Sequence, residues 1–386
     1  MKKVSLFYAS FSLIACGATS IDPSYIPSES RFDFNQESFE KHVLDTRSWL
    51  SENRHFKMAA HEQEVSLNAP REWKPERSNG GLVLLVHGLG DSPFSFIDIA
   101  KHLTHKGYHV RTVLLAGHGS RAGDLLGVSF ELWRSQVQHH VKQALQDFDQ
   151  VWLGGFSTGA NLVTEQAYKN PKVEGLLLFS PAFQPGSPLV KWAGIANLFM
   201  DWADKDPEIN KVRYDSLPLD AAESYYNSSL AVMDYLDSSN YSKPVFMALS
   251  QNDSVIDVDY AKSVFLKRFE NSNNHLFYQS RGCNESDISC FDMNLPELRI
   301  SSGSHMGLLF NKDNFYYGQG GEMTICNNGQ AAEIEKACNQ GESMWYGSWG
   351  YQLDGVGHAR LTWNPYFQEL TALLDQVMIN NNAVVD

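Results

Sequence analysis

The chain has 386 residues, enough for one large α/β domain or two smaller ones. Hydrophobic residues make up 43% and charged residues 20%, as in a globular protein with a sizeable core, and neither a repeat array nor a low-complexity tract is visible. The formal net charge of −14 repels phosphate backbones. Nucleic acid is therefore excluded as an expected partner, as is attachment to an anionic membrane by charge alone.

The first segment reads MKKVSLFYASFSLIAC: two lysines, then an apolar stretch too short to span a bilayer as a stable helix. This is the layout of an export signal, assigned to residues 1–15. Leu13-Ile14-Ala15-Cys16 resembles the bacterial lipobox, which implies diacylation of Cys16 and makes that cysteine the new N-terminus. The plainer alternative is an ordinary signal peptide with an incidental cysteine. Acyl chains would anchor the protein stably to a membrane. Gly17, in place of a retention aspartate, implies the outer membrane or periplasm if the cell is Gram-negative. The expected state is an exported bacterial lipoprotein. Residues 16–37, rich in Ser and Pro over their first half, read as a tether.

Residues 38–80 form an N-terminal extension. Phe39, Val43, Trp49 and Leu50 partly fit a helical face over 38–54. Val65 and Leu67 alternate with polar neighbours and suggest a strand, and 68–80 suggests a loop. From Gly81 the pattern changes. Strands are predicted at Gly81–Val86, Val110–Leu115, Val151–Leu153, Gly175–Phe179 and Pro244–Leu249, and helices at Phe130–Phe148 and Ala160–Tyr168. Apolar runs alternating with helices predict a mostly parallel sheet covered by helices on both faces. Residues 81–183 form the first half of this core and 241–386 the second. Between them, 184–240 is aromatic-rich and is expected to be a helical cap; ordinary core helices are the alternative.

Apart from Cys16, the cysteines are Cys283, Cys290, Cys326 and Cys338. An even set in an exported chain predicts two disulfides. Three connectivities are open; pairing Cys283 with Cys290 and Cys326 with Cys338 closes the shortest loops. No CxxC spacing or histidine cluster points to a metal, and no phosphate-cradling or dinucleotide motif points to a cofactor, so none is expected.

The chemistry centres on Gly155-Phe156-Ser157-Thr158-Gly159, a G-x-S-x-G run between a predicted strand and a predicted helix. A nucleophile at so tight a turn needs flanking glycines, and the helix that follows offers free N–H groups to developing negative charge. His87-Gly88-Leu89-Gly90 ends the first strong strand. It would supply the second oxyanion donor, so the backbone N–H groups of Leu89 and Thr158 are the expected pair. His87 itself reads as structural. An acid is expected after the strand at 244–249, where Asp253 leads and Asp257 is the runner-up. The histidines beyond Asp253 are His275, His305 and His358. His305, in the small-residue loop SSGSHMGL, is the expected base. His275 starts an apolar run and reads as structural, and His358 remains the alternative.

Together these residues resemble the α/β-hydrolase superfamily, most closely its branch of monoacylglycerol lipases, lysophospholipases and carboxylesterases, grouped with the serine aminopeptidase-like hydrolases. HGLGDSP, LLAGHGS, SFELWRSQV, GGFSTGA, FSPAF, PVFMALSQNDSVI and SGSHMGL fall in family order. The resemblance implies an α/β-hydrolase fold with a cap, a Ser157–Asp253–His305 triad, and hydrolysis of an acyl ester or lipid substrate through an acyl-enzyme. The chain departs from the family pattern in its N-terminal extension and in Cys-containing insertions near 280–296 and 311–363. An amide or peptide hydrolase on the same scaffold is the second expectation; Asp201, Asp204, Asp206 and Glu208 could then hold a free amine. A non-catalytic binding lipoprotein is the third.

Overall fold

The computed structural model describes residues 22–283 and 288–379; the expected signal segment 1–15 and Cys16 lie outside the described residues. Helix α1 (Phe39–Asn53) begins at Ser38, whose hydroxyl accepts the Lys41 N–H. Its buried positions Phe39, His42, Thr46 and Leu50 recur at helical spacing. Helix α2 (His61–Asn68) takes the place of the strand expected at Val65 and Leu67. Alternation misled there because Glu64 is itself buried. Arg54 Nη2 lies 2.7 Å from Glu64 Oε1, with side-chain exposures of 3% and 0%. Glu64 Oε2 also accepts the N–H groups of Lys57 (2.9 Å) and Met58 (2.8 Å). The loop expected at 68–80 contains a short strand, β1 (Arg71–Trp73).

The core follows as β2 (Gly81–Val86), α3 (Ile97–His105), β3 (His109–Val113), α4 (Phe130–Asp147), β4 (Gln150–Phe156), α5 (Thr158–Lys169) and β5 (Val173–Phe179). After the intervening segment come β8 (Val245–Ser250), α8 (Val258–Arg268), β9 (His275–Ser280), β10 (Ser289–Asp292) and, at the end, α10 (Phe367–Ile379). The intervening segment holds α6 (Ala193–Ala196), β6 (Trp202–Asp204), β7 (Leu217–Pro218) and α7 (Leu219–Ser238); the late segment holds α9 (Ala332–Asn339), β11 (Trp345–Gly347) and β12 (His358–Arg360). The eight-stranded sheet runs β1-β3-β2-β4-β5-β8-β9-β10. All neighbours are parallel except β1, which pairs antiparallel with β3 at the edge. Period-two alternation divides β2 between two apolar layers. Leu82, Leu84 and Val86 join Trp133 and Val137 of α4 and Leu162 of α5, whereas Val83 and Leu85 join Ile99 of α3 and Leu370 and Leu374 of α10.

Residues 184–240 are only partly helical. A long helix, α7, packs against α5, but the stretch before it is built from short turns and the β6–β7 hairpin. Its apolar residues Leu189, Trp192, Ile195 and Met200 are exposed, with Leu198 at 78% and Phe199 at 85%. Residues 311–363 clamp this segment from the far side. Tyr316 Oη accepts the Lys211 N–H at 2.9 Å, and Asn210 Nδ2 donates to Tyr317 Oη at 2.7 Å. The disulfides are Cys283–Cys290 and Cys326–Cys338, the shortest-loop pairing. Among the described residues no helix is long and apolar enough to cross a membrane.

Candidate active site

Ser157 occupies the single residue between β4 and α5 and is held at φ 53°, ψ −119°. A non-glycine residue pays for that backbone only where its surroundings force it. Here its N–H donates to Phe179 O at 3.0 Å. The neighbouring glycines are required by close approach. A Cβ on Gly155 would lie 2.5 Å from the backbone of Ala160, and one on Gly159 would lie 2.1 Å from Val86 O.

Three side chains from distant parts of the chain meet at this turn. His305 Nε2 lies 3.0 Å from Ser157 Oγ, and His305 Nδ1 lies 2.6 Å from Asp253 Oδ2. With the Nδ1–H donating to the carboxylate, Nε2 is free to accept the serine hydroxyl proton. Asp253, beyond the carboxyl end of β8, is fixed through Oδ1 by the N–H groups of Val255 (2.9 Å) and Ile256 (3.4 Å). Its side chain is fully buried. The His305 ring packs against Phe156, with centroids 4.9 Å apart.

Sequence reasoning missed two residues that hold this array in place. Ser180 follows β5 at φ 39° and donates its hydroxyl to His305 O at 2.9 Å. His118 Nε2 accepts the Gly90 N–H at 3.0 Å, and its Nδ1 lies 3.2 Å from Ala116 O. FSPAF and LLAGHGS contain these residues, so the signal was present, but nothing local revealed their partners. His87 is structural, as expected: Nδ1 lies 2.8 Å from Gly88 O, and Nε2 accepts the Leu115 N–H at 3.1 Å. Burial pushes both imidazoles down, His118 to about 4, which keeps them neutral at pH 7. Together they set the course of the loop bearing Leu89. The Leu89 N–H donates to no protein acceptor among the described residues. Thr158, at the first helical position, has no intrahelical acceptor for its own N–H. Both residues line the same cavity as Ser157 and His305.

The alternatives fall elsewhere. Asp257 caps α8, accepting the Tyr260 N–H at 2.9 Å. His358 is buried, 2.9 Å from Ser301 Oγ, and His275 opens β9; neither lines the cavity. Of the acidic cluster, Glu208 lies 3.5 Å from Lys57 Nζ and accepts backbone N–H groups from Asp215 and Ser216, while Asp201 is exposed. Asp204 and Asp206 do line the cavity. The cavity encloses about 640 Å³, with an apolar share from Phe156, Tyr225, Met306, Met323, Ile325 and Trp349. Among the described residues no group of three or more His, Cys, Asp or Glu side chains is arranged to hold a metal ion.

Residues 77–278, just over half of the chain, match the family described as serine aminopeptidase, S33. The chain belongs to that family. A "thermostable monoacylglycerol lipase" of Bacillus sp. (strain H-257) is 26% identical over 141 residues, which cover 35% of this chain and 56% of that protein. The chain thus spans little more than half the length of this curated relative. Among solved structures, a monoacylglycerol lipase of Paleococcus ferrophilus has a TM-score of 0.45 at 18% identity, covering 55% of this chain and 88% of that one. A soluble variant of monoglyceride lipase from Saccharomyces cerevisiae has a TM-score of 0.46 at 15% identity, covering 58% and 85%. This S33 family member has a mostly parallel sheet flanked by helices.

Proposed function

We propose that this protein is a serine hydrolase that cleaves carboxylic esters through an acyl-enzyme. The observation that carries the reading is the unbroken chain of hydrogen bonds from Ser157 Oγ through His305 to Asp253. Ser157 Oγ attacks the ester carbonyl and passes its proton to His305 Nε2. Imidazolium then returns that proton to the departing alkoxide as the C–O bond breaks. Water, deprotonated by the same nitrogen, attacks the acyl carbonyl and releases the acid and free Ser157. Asp253 orients the ring and stabilises its cationic form. The Leu89 and Thr158 N–H groups receive the tetrahedral oxyanion; a donor in such a position is worth about 3–4 kcal/mol of transition-state stabilisation.

An acyl or lipid ester is the proposed substrate. The apolar walls of the cavity, the exposed apolar strip at 189–200 and the names of the monoacylglycerol lipase relatives support it. Acylation at Cys16, part of the same proposal, would hold the enzyme beside its lipid substrate in an exported, membrane-anchored state; mass spectrometry of the purified N-terminal peptide decides it. For the chemistry, a fluorophosphonate probe should label the wild type and not Ser157→Ala. Equal labelling of both would remove the nucleophile assignment. Amide hydrolysis is the second reading, favoured by Asp204 and Asp206 lining the cavity. Rates on p-nitrophenyl acyl esters and aminoacyl-nitroanilides separate the two.

A further inference from the structure

Two guanidinium groups line the Ser157 cavity without taking part in the array: Arg213, from the 184–240 segment, and Arg360, at the end of β12. Arg213 Nε donates to Tyr214 O at 3.2 Å, and Nη1 lies 3.6 Å from Sδ of Met306, the residue after His305. Arg360 donates from Nε to Asn328 Oδ1 and from Nη2 to Asn327 O, each at 3.0 Å, and its backbone N–H donates to Ile325 O at 2.9 Å. Among the described residues, Nη2 of Arg213 and Nη1 of Arg360 have no protein acceptor, and neither guanidinium forms an ion pair with a carboxylate.

The two arginines are not equally compensated. Burial opposes the charge on Arg213, but Asp91 leads a set of groups that together raise it. Arg360 is held below its ordinary value first by burial and then by the like charge of Arg213. The carboxylate acting the other way on Arg360 is Asp215. Its Oδ2 already accepts the N–H groups of Ile209 and Asn210, both at 3.0 Å. The Arg360 head is therefore fixed in place at the cavity, with no carboxylate paired to it among the described residues. Its frame is covalently braced, because Cys326, bonded to Cys338, sits between Ile325 and the asparagines that grip the guanidinium.

We propose that Arg360 and Arg213 form an anion-binding subsite of the Ser157 cavity, and that the ester taken there carries a phosphate or carboxylate. The proposal rests on the hydrolase reading for its substrate and on the arginine pair alone for its ligand chemistry. A guanidinium with a free edge suits both oxyanions. Carboxylates line the same cavity: burial, followed by Asp204, Asp215 and Glu335, pushes the Asp206 carboxyl up, and Asp206 accepts from Asn327 Nδ2 at 2.9 Å, beside the Arg360 grip.

The test has a binding arm and a turnover arm. In the Ser157→Ala protein, hexyl phosphate, hexanoate and hexanol are titrated by calorimetry. At least one anion should bind ten or more times tighter than the alcohol, and which one does so distinguishes phosphate from carboxylate. Adding Arg360→Gln should remove most of that advantage, and Arg360→Lys should restore part of it. In the wild type, kcat/KM should favour p-nitrophenyl hemiglutarate over p-nitrophenyl butyrate, or 1-acylglycerol 3-phosphate over 1-acylglycerol. Arg360→Gln should collapse that ratio mainly through KM. Arg213→Lys, with melting and circular dichroism on every variant, guards against misfolding. Equal binding of anions and alcohol, or an advantage that survives Arg360→Gln, would overturn the subsite. Loss of all ester turnover and probe labelling would sink the hydrolase reading instead and leave the binding arm to judge the subsite.

Discussion

At Ser157 and Ser180 the backbone enters the left-handed region at residues with side chains, and each serine contacts His305, one through its ring and the other through its carbonyl. Such strain persists only where surrounding structure over-determines it. Two expectations follow at single residues. Asp253→Asn should lower kcat on an acyl ester by on the order of 10³- to 10⁴-fold with little change in KM, because the amide no longer enforces the Nδ1–H tautomer. Steady-state kinetics on a soluble p-nitrophenyl ester decides this, and a loss below tenfold would refute the role given to Asp253. Ser180 is a positioning residue acting through the His305 backbone. Ser180→Ala should lower kcat by roughly tenfold, in keeping with a net hydrogen-bond value of about 1 kcal/mol and a small loss of alignment. A change confined to KM would contradict the role.

At the scale of elements, the N-terminal extension is bound to the core by more than apolar contact. Arg54, at the end of α1, holds Glu64 of α2 and donates to Gly119 O and, at 2.6 Å, to Lys211 O. One side chain thus ties the extension to a core loop and to the segment over the active site. Arg54→Met should destabilise the protein by about 3–5 kcal/mol, since it strands a buried carboxylate. Arg54→Met with Glu64→Leu should be milder, because the unpaired charge goes too. Urea unfolding of the single and double variants measures both. A single variant within about 1 kcal/mol of wild type would show that the ion pair does not hold the extension.

At the scale of the molecule, buried histidines govern the response to acid. Burial pushes His42 and His118 to about 4, and His87 and His140 well below their ordinary value. His42 and His140 pack with ring centroids 4.4 Å apart and their planes tilted by 57°, joining the extension to α4. In the unfolded chain these rings titrate near 6.5. Above that pH both states are neutral and nothing is lost. As pH falls from about 6.5 towards 4 the unfolded state takes up protons that the folded state refuses. Each such histidine then costs about 1.4 kcal/mol per pH unit. The urea midpoint should therefore be flat from pH 8 to 7 and fall steeply from 6 to 4.5. A midpoint unchanged down to pH 4.5 would mean that the rings protonate inside the fold.

The amino-acid sequence by itself determined the elements whose signals are local. The run Gly81–Val86 reads as a buried strand because it ends in a glycine-rich turn, and the glycines around Ser157 read as a tight turn because they lie between a strand and a helix. It also placed Asp253 on a loop after an apolar run and His305 on a small-residue loop ahead of one, and left three disulfide connectivities open, of which the structure has the one with the shortest loops. Glu64 escaped that reading because burial of a carboxylate depends on Arg54, ten positions away. Ser180 and His305 O are 125 positions apart, and Gly90 and His118 are 28 apart. Whether a serine braces a histidine, or an arginine points an idle edge into a cavity, depends on which chain ends up across from it. Only the tertiary structure decides that, because hydrogen bonds and charges act over a few ångströms of space and not over positions in a chain.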